Sequence, residues 1–181
     1  MSFCNLEKAK AKYSEEPMKG NIERLIDFDT YHCLLSGGMS SAMKAQGKLT
    51  YAPAAFLDWL KTCDGGLLFD TVVLSTKDHD ADLDLDFDTY DELNSDEALA
   101  EFSLPEGYSI FAMRSYGDPI CFNASAKDGK VYLWDVENQE FSDIWDSFED
   151  WLTEEIDDAV KLIAEDALEP LEVKNGGGND E

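Results

Sequence analysis

The segment from residue 114 to residue 141, "RSYGDPICFNASAKDGKVYLWDVENQEF", decides the fold because it places two turn signals between apolar runs. Gly117-Asp118-Pro119 predicts a turn, since Gly allows a tight reversal and Pro suits the first or edge position of a strand. Asp128-Gly129 predicts a two-residue hairpin turn. The central sheet is therefore expected to contain strands near residues 108–115, 119–124, 130–136 and 140–144.

The stretch "KVYLWD", residues 130–135, is apolar at both alternating sets of positions. This pattern is typical of a strand that is covered on both faces. Tyr132 and Trp134 are accordingly interpreted as core residues rather than as rings that stack on a ligand. Asp118 is expected to bond to nearby backbone N–H groups and so to serve its own turn.

The flanking segments predict helices and one further strand. "TYAPAAFLDWLKTCDGG" predicts a helix with Pro53 in its first turn and Gly65-Gly66 at its end. "LLFDTVVLST" predicts one buried strand. "NIERLIDFDTYHCLLSGG" has apolar residues at helical spacing, with Asn21 as its N-cap and Gly37-Gly38 after it. Further helices are expected from Asp91 to Phe102 and, capped by Ser147, from 147 to 167.

Three of these stretches, in this order, carry a resemblance to a known family. They are the helix with its double glycine, "PAAFLDWLKTCDGG"; the strand pair "GDPICFN" and "GKVYLWD"; and the aromatic helix start "WDSFEDWL". Over roughly residues 51–155 the chain resembles the SUKH superfamily, whose best-known branch holds Smi/Knr-type regulators and bacterial immunity proteins. It departs from the family pattern at Asp64, where the family usually has Asn, and in an acidic insert at residues 78–101.

The resemblance implies a fold and a mode of action. The fold class is α+β: a single domain with a bent antiparallel sheet of about five to six strands and helices packed on it. The implied function is binding without catalysis, and many bacterial relatives neutralise toxins, often nucleases, by direct contact. The residues that match the family motifs, and for which a structural role is expected, are Gly65, Gly66, Gly117, Asp118, Pro119, Gly129, Trp134, Phe148 and Trp151.

The composition narrows the class of partner. The sequence has 40 Asp and Glu residues against 14 Lys and Arg, a formal net charge of −26. Such a surface repels nucleic acid and anionic lipid, so neither nucleic acid nor a membrane is expected as a partner. It attracts a basic protein and speeds the encounter. A coat that only keeps the protein soluble, or an origin in salty or cold water, explains the same charge equally well.

The acidic insert contains a ladder of carboxylates with a period of two: Asp80, Asp82, Asp84, Asp86 and Asp88. A calcium loop of the EF-hand type starting at Asp82 would need Gly at Phe87 and Glu at Leu93, so that motif is not present. In an extended chain, carboxylates on one face stand about 6.6–6.8 Å apart. This spacing suits a row of Lys and Arg better than a single cation. A solvated face ranks first, partner binding second and a specific metal third.

Catalysis has little support in the sequence. His32 and His79 are the two histidines, and no GxSxG, P-loop or GxGxxG motif is present. We therefore expect no enzyme, no cofactor and no metal. Cys4, Cys33, Cys63 and Cys121 form no CxxC pair and are interpreted as reduced, mostly buried thiols.

The ends of the chain complete the expected organisation. The start, "MSFCNLEKAKAKY", lacks the apolar region of a signal peptide, and no apolar run reaches the roughly 20 residues of a membrane helix. A cytoplasmic protein is expected. Residues 1–20 are assigned to an N-terminal arm or helix, 21–168 to the SUKH-like domain and 169–181 to a disordered acidic tail. The oligomeric state stays open.

The favoured function is an immunity protein that binds a basic cognate toxin, a nuclease being one candidate. The alternatives are a Smi/Knr-type regulator or scaffold that binds a housekeeping partner and, ranked lowest, a metal-dependent hydrolase. Charge is expected to set the association rate, while apolar anchors such as Phe87 or Tyr90 slow dissociation. The predicted partner-binding residues are Asp80, Asp82, Asp84, Asp86, Phe87, Asp88, Tyr90, Asp91, Glu92, Asp150 and Glu154.

Overall fold

The computed structural model describes residues 6, 18–28, 33–37, 52–76 and 89–165. Within these residues the helices are α1 (Met18–Ile26), α2 (Ala54–Leu60), α3 (Tyr90–Leu93), α4 (Asp96–Glu101) and α5 (Phe148–Ala164). The strands are β1 (Cys33–Gly37), β2 (Cys63–Leu68), β3 (Thr71–Val73), β4 (Tyr108–Arg114), β5 (Pro119–Asn123), β6 (Val131–Asp135) and β7 (Glu140–Trp145).

The described strands form one open antiparallel sheet in the order β1-β2-β3-β4-β5-β6-β7. Each strand pairs with its neighbours in the chain, so the sheet is built from successive hairpins. The register shifts within three of the pairs, and such bulges bend an antiparallel sheet. The predicted α+β class is confirmed, with one strand more than the five to six expected.

The predicted strands between residues 108 and 145 are confirmed as β4 to β7, because their local turn signals and apolar runs agree with the sheet. The connection between β5 and β6 is longer than predicted. It runs from residue 124 to residue 130, with Lys127 (φ +53°) and Gly129 (φ +78°) both in the left-handed region. Asp128 accepts a hydrogen bond from the Tyr132 hydroxyl at 2.7 Å. The prediction of a two-residue turn at Asp128-Gly129 is therefore wrong.

Aromatic rings join the helices to the sheet. Phe56 of α2 lies 5.0 Å from Phe111 and 5.2 Å from Phe122, measured between ring centroids. Phe148 and Trp151, in the first turn of α5, contact the same group. All five rings are buried, so α5 is held to the sheet by its aromatic start. Ser147 caps this helix by accepting from the Asp150 N–H at 3.1 Å, as predicted.

Three predictions on the N-terminal half are wrong. Asn21 lies inside α1 and is buried, where its amide donates to Thr153 Oγ1 at 2.9 Å and docks α1 on α5. The apolar run Cys33–Gly37, which was expected to continue a helix, is a strand because it pairs with β2. The segment predicted as one strand is a hairpin of β2 and β3, since Phe69 adopts φ +59° and reverses the chain.

Gly65-Gly66 does not end a helix. Helix α2 stops at Leu60, and the two glycines lie inside β2 with φ of +79° and +132°. A Cβ built on Gly65 would stand 2.7 Å from the Cα of Ser75, closer than side chains are found. The motif therefore allows β2 and the chain after β3 to approach each other closely.

This close approach predicts that Gly65→Ala is strongly destabilising. The matched control is Gly117→Ala, because Gly117 has φ +102° and open space where a Cβ would stand. Both variants carry the left-handed strain of about 1–2 kcal/mol, but Gly65→Ala adds a backbone clash of about 1–3 kcal/mol. Urea unfolding of the two variants measures the difference. Equal losses would show that the approach of Ser75 is not what requires Gly65.

The cysteines differ from one another. Cys33 and Cys121 are free thiols, and burial raises the pKa of Cys33 to about 12 and that of Cys121 as well. Neither is a reactive thiolate near neutral pH. Cys63 is disulfide-bonded, so the expectation of a reduced thiol is wrong there.

The predicted boundaries fall largely outside the described residues. Of the expected arm at 1–20, the structure describes Leu6, which packs against the core, and residues 18–20. Met18 already belongs to α1 and is buried. The tail at 169–181 lies outside the described residues, and the three-part division of the chain stays a prediction.

Candidate functional site

The residues that flank the carboxylate ladder, Ser75, Thr76, Thr89 and Tyr90, are joined to one another, and we call them its base. Asp80, Asp82, Asp84, Asp86, Phe87 and Asp88 lie outside the described residues, so their predicted role stays a prediction. The residues on either side are described: Ser75 forms a parallel bridge with Thr89, and the Tyr90 N–H donates to the Ser75 carbonyl at 2.7 Å. The described residues on the two sides of this segment therefore meet at one point of the domain.

Asp64 and Gly65 organise this base. The Asp64 carboxylate accepts from the Thr76 N–H at 2.9 Å and from the Thr76 hydroxyl at 2.8 Å. Gly65 provides the space for Ser75. Asp64 is fully buried, so these bonds replace the water that its carboxylate has lost. Asp64, which stands where the resemblance implies Asn, thus places two acceptor oxygens against Thr76.

Three of the predicted partner-binding residues, Tyr90, Asp91 and Glu92, lie on the C-terminal side of the same base. Tyr90 is 3% exposed and packs in the core, because it begins α3 against the sheet, and so it offers no surface to a partner. Glu92 caps its own helix: its carboxylate accepts from the Thr89 N–H at 2.7 Å, which lowers the pKa of Glu92. Asp91 and Glu92 are exposed.

The remaining two predicted residues, Asp150 and Glu154, are exposed one turn apart on α5. Asp150 accepts from the Ser147 hydroxyl at 2.8 Å, and Glu154 accepts from Trp145 Nε1 at 2.9 Å. The second bond joins α5 to the end of β7. Helix α5 packs on β7, whereas α3 packs on β4, so the structure describes the two groups of predicted acids on different parts of the sheet.

Strand β7 adds acidic residues that the sequence analysis did not select. Together with α5 it forms a surface that we call the acidic edge, made of Glu140, Asp143, Asp146, Asp150 and Glu154, all exposed. Lys130 pairs with Asp146 at 2.5 Å, which lowers the pKa of that carboxyl. Ile144 of the same strand is 55% exposed. It pairs with Tyr132, whereas Asp143 pairs with Leu133, so β7 presents this aliphatic side chain and the Asp143 carboxylate on opposite faces of the sheet.

Phe141 of β7 belongs to a second aromatic cluster, which includes the family-motif residue Trp134. Phe141 contacts Tyr108, Tyr132 and Trp134 at centroid distances of 4.7, 5.3 and 4.9 Å. Trp134 Nε1 donates to the Phe102 carbonyl at 2.9 Å, and the ring is buried. Tyr132 and Trp134 are thus part of the interior, and their faces are not free for a ligand.

The turn between β4 and β5 has a structural role. Gly117 adopts φ +102° and its N–H donates to the Arg114 carbonyl at 2.9 Å. The Asp118 carboxylate accepts from the Val136 N–H at 3.2 Å, at the end of β6. Asp118 therefore bonds to a neighbouring strand rather than to its own turn as expected. Pro119 opens β5 and is buried.

A buried ion cluster joins α5 to β3 and β4. Arg114 donates to Glu155 from both terminal nitrogens, at 2.6 and 2.7 Å, and approaches Asp70 at 3.3 Å. Thr71 donates to the same Glu155 carboxylate at 3.2 Å. Burial raises the pKa of Glu155, and Arg114 opposes this effect. Arg114 Nε is buried without a hydrogen-bond partner among the described residues, whereas both terminal nitrogens are paired. The cluster has a structural role because it joins α5 to β3 and β4, and no local sequence signal indicated it.

The described residues contain no group of three His, Cys, Asp or Glu side chains arranged to hold a metal. Both histidines lie outside those ranges. None of the described helices combines the length and apolarity needed to cross a bilayer. What the described surface does offer is exposed carboxylates, which suit contact with a cationic protein.

Comparison with known proteins agrees with this geometry. Residues 46–154 match the model of the SMI1 / KNR4 family (SUKH-1), which includes β2 to β7 and the start of α5. No curated protein and no solved structure matches the chain. The family is generally non-catalytic, and its domains have Smi/Knr-type or immunity roles that involve protein–protein interaction. Because the match spans more than half of the chain, we conclude that the protein belongs to the SMI1 / KNR4 family (SUKH-1).

Proposed function

We propose that this protein is a non-catalytic immunity protein that neutralises a basic cognate toxin by direct contact. The observation that carries the proposal is the acidic edge, which presents five exposed carboxylates, together with Ile144 of the same strand β7, which is 55% exposed. A nuclease is a suitable toxin, because its substrate groove must be basic to hold phosphates. The acidic edge would enter such a groove and exclude the nucleic acid.

Long-range charge and short-range contact have separate roles in this proposal. A net charge of −26 attracts a basic protein over distances of about one Debye length, roughly 8 Å at physiological salt. That attraction raises the association rate. An aliphatic contact at Ile144 slows dissociation, because burying its side chain removes apolar surface from water.

The acidic insert supplies a second part of the proposed contact surface. Ser75 and Thr89, which flank the carboxylate ladder, are bridged to each other. Asp80 through Asp96 would then act with Asp150 and Glu154 as predicted, with Tyr90 removed from the set because it is buried. We further propose that the protein acts in the cytoplasm, where a toxin that attacks nucleic acid has its target.

A regulator of the Smi/Knr type that binds a basic housekeeping protein is the second candidate, and the same acidic surface supports it. The immunity protein and the regulator differ in the protein that they bind. A toxin gene next to this one, and survival of cells that express both proteins, would support immunity. Survival that does not depend on this protein, together with capture of a housekeeping protein, would support regulation.

Charge steering predicts a strong salt dependence of the association rate. Raising NaCl from 50 to 500 mM is expected to slow association with the neighbouring gene's toxin by about tenfold or more. Removing two charges with Asp143→Asn/Glu154→Gln should slow association at low salt by several-fold. Removing two exposed charges elsewhere, with Asp27→Asn/Glu165→Gln, should have a smaller effect. Stopped-flow or surface-based kinetics measures both; equal effects of the two pairs would contradict a contact at the acidic edge.

A further inference from the structure

We propose that the outer edge of β7 binds an extended, basic segment of the partner as an additional antiparallel strand. This inference rests on the proposed function, because it specifies how the basic partner is held. Among the described strands, β7 ends the order of the sheet and pairs with β6. The outer backbone groups of such an edge strand are available to another chain.

The side chains of β7 specify the chemistry of the incoming strand. Ile144 stands opposite Tyr132 and Asp143 opposite Leu133, so these two neighbours point to opposite faces of the sheet. A paired strand would place an apolar residue beside Ile144 and a Lys or Arg beside Asp143. The partner segment is therefore one in which apolar and basic residues alternate, with backbone bonds providing affinity and the side chains providing specificity.

A second copy of this chain does not fit the same edge. Antiparallel pairing of β7 with itself brings Glu140, Asp143 and Asp146 of one copy against the same acids of the other. Like charges opposed across strands are unfavourable, and each chain carries a net charge of −26. The acids thus discriminate between partners: they oppose self-association and favour a basic strand.

The probe is a synthetic eight-residue peptide that alternates Lys and Val, added to the full chain. A second peptide of the same sequence carries N-methyl groups at every other residue, which removes the hydrogen bonds of one strand edge and keeps the charge. The readouts are peptide affinity at a fixed salt concentration and hydrogen exchange of the backbone amides from residue 140 to residue 145.

The variants distinguish binding at the edge of β7 from attraction to the net charge of the protein. Ile144→Ala is expected to weaken binding of the unmodified peptide by about threefold to tenfold, from the loss of apolar contact. Val160→Ala is the matched control, since Val160 is 46% exposed on α5. Asp143→Asn should weaken binding, whereas Glu97→Gln, on the exposed side of α4, should change it less. Circular dichroism and the melting temperature establish that each variant is folded.

The expected result is slower exchange of β7 amides with the unmodified peptide and a loss of at least about tenfold in affinity on N-methylation. Equal binding of the two peptides, or no protection at β7, would overturn the inference and leave the acids as a guard against self-pairing. Failure of the protein to neutralise the neighbouring toxin would overturn the proposed function. The peptide result is independent of the toxin, so the two failures are distinguishable.

Discussion

Replacing Arg114 with Leu is expected to lower the free energy of unfolding by about 3–5 kcal/mol. Arg114 is the cation of a cluster in which Glu155 has a side chain 4% exposed, and the substitution leaves that carboxylate without its charge partner. Thr71 alone cannot replace the two hydrogen bonds that Arg114 donates. The loss should be visible in urea unfolding followed by circular dichroism.

The pH dependence of the Arg114→Leu variant follows from Glu155. Burial raises the pKa of Glu155 in the folded protein, and loss of Arg114 raises it further. A carboxyl group whose pKa is raised on folding favours the folded state when it is protonated. The deficit of the variant should therefore be small at pH values below the ordinary carboxyl range and should grow as pH rises through the raised pKa.

Two controls test whether loss of the buried pair of Arg114 and Glu155 causes the instability of Arg114→Leu. The double variant Arg114→Leu/Glu155→Leu removes both charges and should recover a large part of the stability lost in Arg114→Leu. Lys161→Leu breaks an exposed pair with Asp158 and should leave the stability almost unchanged. A double variant as unstable as Arg114→Leu alone would show that Arg114 acts through packing rather than through Glu155.

The C-terminal half of the sheet could be predicted because its signals are local. Strands β4 to β7 follow from apolar runs between turn residues, and a neighbour-to-neighbour order needs little long-range information. Gly65-Gly66 was misinterpreted because the same residues serve helix ends and close backbone approaches. Only the fold shows that Ser75 approaches Gly65. The cluster of Arg114 and Glu155 joins residues far apart in sequence, and no local pattern indicates it.

The sequence predicts the acidic character of the candidate site better than it predicts the position of that site in the fold. The net charge of −26 is by itself enough to indicate an acidic surface, although not that a partner binds there. The pattern in "EFSDIW" indicates a strand, but not that this strand lies at the end of the sheet, because strand order is a tertiary property. Asp143 and Ile144 were overlooked for that reason. Tyr90 was selected because an aromatic residue among acids suggests an exposed anchor, whereas its ring is buried.

Trp151→Ala is the second substitution with a large expected effect, a loss of about 3–5 kcal/mol in the free energy of unfolding. Trp151 is fully buried, with its ring centroid 5.1 Å from that of Phe111 and 5.4 Å from that of Phe148. Its removal leaves a cavity where α5 meets the sheet. Because α5 also carries Asp150 and Glu154, binding of the proposed basic partner should weaken along with stability.

Trp151→Phe separates loss of the ring from loss of its N–H. The Nε1 atom of Trp151 is buried without a hydrogen-bond partner among the described residues, so Phe removes an unsatisfied donor and keeps an aromatic contact. Trp134→Phe is the matched control, because Trp134 Nε1 donates to the Phe102 carbonyl and its removal leaves that acceptor unpaired. We expect Trp151→Phe to be the milder of the two in thermal unfolding. A larger loss of stability for Trp151→Phe than for Trp134→Phe would contradict this expectation. It would mean that the packing lost at Trp151 costs more than the hydrogen bond lost at Trp134.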